Sequence, residues 1–125
     1  MPVEARVTIL FEVDGVSLPD FPIVRRYIVN ELANLGDLVA APDSNTSTFH
    51  AIPAAVMATL GIFFVAPDQA INLKINMNTP LPLNANGLVL IMGAALTQGT
   101  PNTNVEYNNP SSVISANLPI IVAGS

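Results

Sequence analysis

Short apolar runs separated by turn-forming residues fill the chain from Gly36 onward, and this pattern limits the folds that it can adopt. The runs are of strand length, and the separators are mostly Pro, Gly, Asn and Asp. Within one run, residues 71–77, apolar and polar side chains alternate, which is typical of a strand with one buried face. Short strands joined by such turns predict a sandwich, barrel or jelly roll. We expect a single domain over residues 1–125, a mainly β antiparallel sandwich or jelly roll of about eight strands.

The strictest alternation lies at the start of the chain, over residues 3–14. Apolar side chains occupy every second position there, and mostly polar ones occupy the others. This pattern predicts a half-buried antiparallel strand with its other face in solvent. Asp14 and Gly15 then predict a tight turn, because glycine tolerates a positive φ angle.

Residues 22–35 permit two interpretations. Asp20 could cap a helix and Pro22 could occupy its first turn, with apolar residues at helical spacing as far as Gly36. Four β-branched residues in the same segment favour a strand through residues 25–29 instead. We predict one short helix near residues 22–35, with the strand as the alternative.

Residues 51–66 form an apolar stretch that could suggest a membrane segment. The stretch is sixteen residues long, whereas a helix that crosses a bilayer needs about 20. No Lys or Arg flanks it, and its second half is rich in β-branched and aromatic residues. We predict a buried strand here and no membrane contact.

Charge is scarce and unevenly distributed. Only 10% of the residues are charged, and ten of the thirteen charged residues lie in the first 43 positions. A surface so poor in charge repels other copies of the chain only weakly, which favours self-association. The net charge of −5 and the four basic residues argue against binding to nucleic acid or to an acidic membrane surface.

The sequence offers little for catalysis or metal binding. It has no cysteine and one histidine, His50, which we interpret as a strand residue. Residues 43–47 resemble the start of a calcium loop but lack its glycine and its distal glutamate, so a polar turn is the better interpretation. We therefore predict no catalytic, cofactor-binding or metal-binding residues, and no enzyme. An enzyme that uses Asp43, Asp68 or Glu106 as acid or base is an alternative.

Asparagine replaces charge in the second half of the chain. Ten Asn residues lie between Asn72 and Asn117. An amide can be buried against a neighbour without the desolvation penalty of a charge, or it can remain in water. A surface of this kind suits a subunit packed in an assembly, and a monomer with an amide-rich face is the alternative.

Two segments carry a resemblance to a known class of protein. The first is Leu60–Asn76, in which a strand, an acidic turn and an alternating strand follow one another. The second comprises Val105–Ser112 and Ala116–Gly124, an Asn-rich turn followed by an aliphatic strand. Both resemble small virion proteins of tailed bacteriophages, over roughly residues 46–124. The resemblance implies a jelly roll or sandwich that decorates a capsid or completes the head-to-tail region.

We therefore expect a non-enzymatic structural subunit, most simply a phage capsid decoration or cement protein or a head-tail protein. It should form homo-oligomers, with a trimer favoured, and contact other virion proteins. We expect subunit contacts in residues 44–125 and a surface facing solvent or host in residues 1–43. The candidate interface residues are Leu88, Leu90, Met92, Ile62 and Phe64.

Two further expectations complete this interpretation. The N-terminal sequence shows no signal peptide, so we expect synthesis in the host cytoplasm and a final location in the virion. The alternative function is a β-sandwich module that binds carbohydrate or another small polar ligand, in a groove lined by Tyr27, Tyr107, His50 and nearby amides.

Overall fold

The computed structural model describes residues 2–36, 38–52, 59–75, 79–97 and 105–124, and these residues form strands and loops without any helix. The strands are β1 (Val3–Ile9), β2 (Glu12–Val13), β3 (Val16–Ser17), β4 (Ile23–Val29), β5 (Glu31–Leu35), β6 (Val39–Ala40), β7 (His50–Ala51), β8 (Thr59–Val65), β9 (Ile71–Ile75), β10 (Leu81–Leu83), β11 (Val89–Thr97), β12 (Val105–Asn108), β13 (Ala116–Asn117) and β14 (Ile120–Gly124). In the part of the chain described, no helix is long and apolar enough to cross a membrane.

Two four-stranded antiparallel sheets form the body of the protein. We call the sheet with strand order β11-β8-β14-β5 the middle sheet, and the sheet with order β10-β9-β12-β7 the second sheet. Strands β6 and β13 form a separate short pair. The prediction of a mainly β, sandwich-like antiparallel fold is confirmed, with more and shorter strands than expected.

The main core lies between these two sheets. The middle sheet contributes Leu60, Phe63, Val65, Ile120 and Val122 to this core, and the second sheet contributes Ile71, Leu73 and Val105. All of these side chains are buried. The alternation predicted for residues 71–77 is confirmed for β9, in which Ile71 and Leu73 point into the core, while Met77 lies outside the described residues.

A bulge in β8 determines which residues of that strand face each side. Ala123 pairs with Ile62 and Gly124 pairs with Leu60, so Gly61 is left without a partner on β14. The extra residue shifts the alternation, and both Leu60 and Phe63 therefore face the main core. Ile62 and Phe64 face the opposite side of the middle sheet.

Strands β1 and β4 form a two-stranded antiparallel ribbon on that opposite side. Their register runs from Val3 opposite Val29 to Ile9 opposite Ile23. Inward-facing ribbon residues, Ala5, Val7, Tyr27 and Val29, pack with Ile62, Leu90, Met92 and Ala123 of the middle sheet in a second, smaller core. The ribbon is thus a third layer that covers part of the middle sheet.

The predicted helix near residues 22–35 is wrong, and the strand alternative is right. The segment forms β4 and β5, which pair with β1 and β14 respectively. The spacing of its apolar residues fits a helix, whereas its β-branched residues favour a strand. Hydrogen bonding to β1 and β14 stabilises the two strands instead of the helix. The backbone N–H of Asn30, between β4 and β5, donates to the carbonyl oxygen of Gly124.

Residues 10–22 connect the two strands of the ribbon, and we call this segment the tip. It contains the hairpin of β2 and β3, whose turn residues Asp14 and Gly15 both have positive φ angles, as a tight hairpin turn requires. The predicted turn is confirmed. The alternating strand predicted over residues 3–14 is interrupted, because β1 ends at Ile9 and β2 begins at Glu12.

Candidate functional site

An open apolar groove lies between the ribbon and the middle sheet, and it is the main candidate for a functional surface. Its volume is about 820 Å³. The sheet side is lined by Ile62, Phe64, Leu88, Leu90 and Ile121, and the other side by residues 6–9 of the ribbon and residues 10 and 11 of the tip. The groove exists because the ribbon covers only part of the apolar face of the middle sheet.

Residues 88–92 show how far the ribbon covers this face of the middle sheet. Since all five residues are apolar, both faces of a strand formed by this run are expected to be buried. The structure confirms partial burial for Val89 to Met92, but Leu88 is 59% exposed. The prediction is wrong at Leu88, because the ribbon covers the middle sheet near Met92 and leaves the groove open near Leu88.

The predicted interface residues lie together on this face. Ile62, Phe64, Leu88 and Leu90 line the groove, and Met92 packs under the ribbon in the second core. Ile62 is buried and forms the floor, whereas Phe64 and Leu90 are half-buried. Their role in subunit contacts remains a prediction.

Positive charge is concentrated on the ribbon. Three of the four basic residues of the chain, Arg6, Arg25 and Arg26, lie on its strands. Arg6 lies directly opposite Arg26, an arrangement of like charges that is unfavourable in a β ladder. Glu4 relieves it in part, because its Oε1 atom lies 3.3 Å from Nε of Arg26. Arg6 also lines the groove, which is therefore apolar with a basic edge.

A second feature is a polar network around Asp43, in the loop before β7. Oδ2 of Asp43 accepts hydrogen bonds from the backbone N–H of Asn109 (2.9 Å) and from Nδ2 of Asn108 (3.3 Å). Its Oδ1 atom lies 2.6 Å from Nε2 of His50. The Asp43 side chain is only 10% exposed. A carboxylate with this many donors can remain buried in its charged form.

Two buried asparagines extend this hydrogen-bond network to neighbouring loops and strands. Asn108 donates to the carbonyl oxygens of Asn45 and Thr48 and accepts from Nδ2 of Asn72. Asn109 donates to the carbonyl oxygens of Ala40 and Ile114. Both residues are 0% exposed. These amides connect loops of the same chain, so they do not serve the intersubunit role that we predicted for the asparagines as a class.

The other polar residues singled out in the sequence also have structural partners. His50 lies on β7, as predicted, and its ring packs against Tyr107 with the centroids 5.4 Å apart. Oδ1 of Asn45 accepts from the backbone N–H groups of Ser47 and Thr48, which is a polar turn. Asp68 accepts two hydrogen bonds from Asn117. In the described ranges, no group of three or more His, Cys, Asp or Glu side chains could hold a metal ion.

The residues predicted for a ligand groove are not brought together. His50 and Tyr107 are in contact in the second sheet. Tyr27 lies on the ribbon, where its hydroxyl group is close to Gly93, a glycine with a positive φ angle on β11. Tyr27 and the His50–Tyr107 pair are therefore on opposite sides of the middle sheet, and one groove cannot include all three.

The network changes the acidity of two of its members. Burial raises the pKa of Asp43, but the hydrogen bonds and charge of His50 and the hydrogen bonds from Asn109 and Asn108 outweigh it, so the pKa lies below its ordinary value. Burial, with the nearby negative charge of Asp43, raises the pKa of Tyr107. The lowered pKa of Asp43 keeps its carboxylate charged inside the loop network.

The depressed pKa of Asp43 predicts a specific loss of stability in acid. Its contribution to the free energy of unfolding is complete above the ordinary Asp pKa of about 3.9 and is lost as the pH falls through the lower folded value. We expect the stability of the wild-type protein to fall more steeply than that of Asp43→Asn between about pH 5 and pH 2, measured by urea unfolding. The exposed-turn variant Asp20→Asn should keep the wild-type slope. Equal slopes for wild type and Asp43→Asn would contradict the assignment.

No protein-family model, no curated protein and no solved structure matches this chain. The groove and the Asp43 network therefore have to be interpreted from their own chemistry. The network is satisfied internally and connects loops, whereas the groove presents apolar side chains to solvent. Of the two, the groove is the better candidate for a functional surface.

Proposed function

We propose that this chain is a non-enzymatic structural subunit that forms homo-oligomers by packing β-sheet faces against neighbouring copies. The observation that carries the proposal is the open apolar groove on the middle sheet. Apolar grooves on a protein surface often mark sites of interaction. The scarcity of charge in the chain points in the same direction.

Burial of the groove would supply the driving force for association. Each Å² of apolar surface removed from water contributes about 25 cal/mol, and a stable interface buries about 1,200–2,000 Å² in total. Several large apolar residues around the groove and the tip are exposed, namely Leu10, Phe11, Val13, Val16 and Leu88. These residues give a neighbour an apolar surface to cover.

We propose the kind of assembly from the resemblance of Leu60–Asn76, Val105–Ser112 and Ala116–Gly124 to phage virion proteins. We propose a capsid decoration protein or a head-tail protein of jelly-roll type, assembled as a trimer and located in the virion. Structural genes for capsid or tail next to the gene for this chain would support that part of the proposal. Neighbouring genes for unrelated metabolic enzymes would count against it.

The substitution Leu88→Asp tests whether the groove forms the contact between subunits, and Val113→Asp is the matched control. Both side chains are exposed, 59% for Leu88 and 80% for Val113, so neither substitution should unfold the monomer. Only Leu88 lines the groove. In sedimentation velocity, we expect oligomers for the wild type and for Val113→Asp, and monomers for Leu88→Asp. A wild-type protein that stays monomeric at every concentration would overturn the proposal.

A further inference from the structure

The connection between β10 and β11 contains the single Asn-Gly pair of the chain, Asn86 and Gly87. Residues 84–88 form this connection, which joins the second sheet to the middle sheet. The side chain of Asn86 is exposed. An asparagine side chain and the next backbone nitrogen can close a five-membered ring, and glycine hinders the closure least because it has no β-carbon. Asn86 is therefore the asparagine whose sequence context most favours this reaction.

The shape of the turn accounts for both residues of the pair. The backbone N–H of Gly87 donates to the carbonyl oxygen of Asn84 (2.9 Å), which closes a four-residue turn. Asn86 has a positive φ angle of 63°, a conformation that asparagine adopts more readily than most residues. A β-carbon at position 87 would lie 2.9 Å from the carbonyl oxygen of Asn84, so the turn favours glycine there. The turn thus selects the two residue types whose combination favours ring closure.

The hydrogen bonds of the same turn oppose the reaction in the folded protein. The nitrogen of Gly87 has to lose its proton and approach the side-chain carbon of Asn86, but its N–H is donated to Asn84. The N–H of Asn86 donates to the carbonyl oxygen of Pro67 (3.0 Å), which holds the turn against the loop before β9. The reaction therefore needs the turn to open, and local opening of an exposed loop costs less free energy than global unfolding.

We propose that Asn86 deamidates spontaneously in the folded protein, at a rate limited by the opening of this turn. Solvent base removes the proton from the backbone nitrogen of Gly87, which then attacks Cγ of Asn86. A new C–N bond forms, the bond between Cγ and Nδ2 breaks, and Nδ2 takes up a proton from water and leaves as ammonia. Water then opens the succinimide ring at either of its carbonyl carbons, which gives aspartate or isoaspartate. Water is the only reactant that the two steps consume.

Both products change the surface next to the groove. Each adds one negative charge to the net charge of −5, two positions before the groove residue Leu88. Isoaspartate also directs the main chain through the former side chain and lengthens it by one methylene group, which moves the N–H of Gly87 relative to the carbonyl oxygen of Asn84. The inference goes beyond the proposed oligomer and does not depend on it.

The experiment follows the protein by mass spectrometry during incubation in mildly alkaline buffer, which supplies the base for the first step. Each deamidation adds about 1 Da, and peptide mapping assigns the change to a residue. Asn84 is the internal control, because it is exposed in the same turn but is followed by Ala85. We expect the product to form at Asn86 at least about tenfold faster than at Asn84.

Two variants and two conditions test the role of the turn. Asn86→Gly suits the positive φ angle and should abolish the reaction at this position, whereas Asn84→Ala keeps the backbone acceptor and should react at the wild-type rate. Unfolding in urea should accelerate the reaction at Asn86 about ten- to a hundredfold, since the turn is then open. In the absence of urea, the rate should be the same at low and high protein concentration, because the turn limits it and a neighbouring copy does not.

Several results would overturn the inference. Equal rates at Asn84 and Asn86 would show that the site is wrongly assigned. Equal rates with and without urea, or a rate that falls at high protein concentration, would show that the turn does not limit the reaction. No product at Asn86 in the folded protein after about a hundred half-times of the reaction in urea would show that the fold makes this residue inert.

Discussion

Asn108→Asp is expected to lower the free energy of unfolding by about 3 kcal/mol or more at neutral pH. The substitution keeps the size of the side chain but replaces two N–H donors with an acceptor. The carbonyl oxygens of Asn45 and Thr48 would lose their donor inside the protein. The new carboxylate would also lie at the position of an amide nitrogen 3.3 Å from the carboxylate of Asp43. Urea unfolding followed by circular dichroism measures the effect.

Two companion variants make this prediction specific to the network. Asn108→Ala removes the donors without adding a charge and should cost about 1–3 kcal/mol, less than Asn108→Asp. Asn34→Ala, at an exposed position on β5, should change stability by no more than about 0.5 kcal/mol. An Asn108→Asp protein as stable as Asn108→Ala would show that the carboxylate of Asp43 does not repel a second carboxylate at this site.

The pH dependence gives an independent check on Asn108→Asp. A carboxyl group forced next to Asp43 has a raised folded pKa, so its destabilising effect is largest at high pH and shrinks as it takes up a proton. We expect the difference in stability from the wild type to narrow between about pH 7 and pH 4. A difference that stays constant over this range would contradict the close approach of the two carboxyl groups.

Local patterns predicted the strands and turns that depend on neighbouring residues. Alternation identified β9, and the pair Asp14 and Gly15 identified the hairpin turn of the tip. The segment 22–35 was mispredicted because its apolar spacing fits both a helix and two strands. The segment forms strands because it pairs with β1 and β14, and β14 lies near the other end of the chain. Such long-range pairing leaves no trace in a short window of sequence.

The two functional features differ in how much the sequence revealed. Four apolar residues that line the groove, Ile62, Phe64, Leu88 and Leu90, were among the predicted interface residues because they belong to apolar runs of strand length. The Asp43 network was missed, since Asp43 and Asn108 are separated by sixty-five positions. The basic residue at the groove, Arg6, was missed for a related reason, because the groove forms only where residues far apart in the sequence, such as Arg6 and Leu88, come together.

Substitutions of Phe63 and Phe64 should separate effects on the stability of the monomer from effects on its association. They are adjacent on β8, have the same side chain and face opposite sides of the middle sheet. Phe63 is 0% exposed in the core between the sheets, whereas Phe64 is half-buried and lines the groove. We expect Phe63→Ala to lower the free energy of unfolding by about 3–5 kcal/mol through lost contacts and the cavity left behind.

Phe64→Ala should have the opposite profile. Its half-buried ring contributes less to the monomer, so the loss of stability should be about 1–2 kcal/mol. Its removal takes apolar area from the groove, so association should weaken by about tenfold or more, whereas Phe63→Ala, measured where it is still folded, should associate within about threefold of the wild type. Unfolding in urea and sedimentation equilibrium give the two quantities separately. If both variants lost stability equally and neither changed association, the groove face would be a second structural core and the subunit contact would have to lie elsewhere.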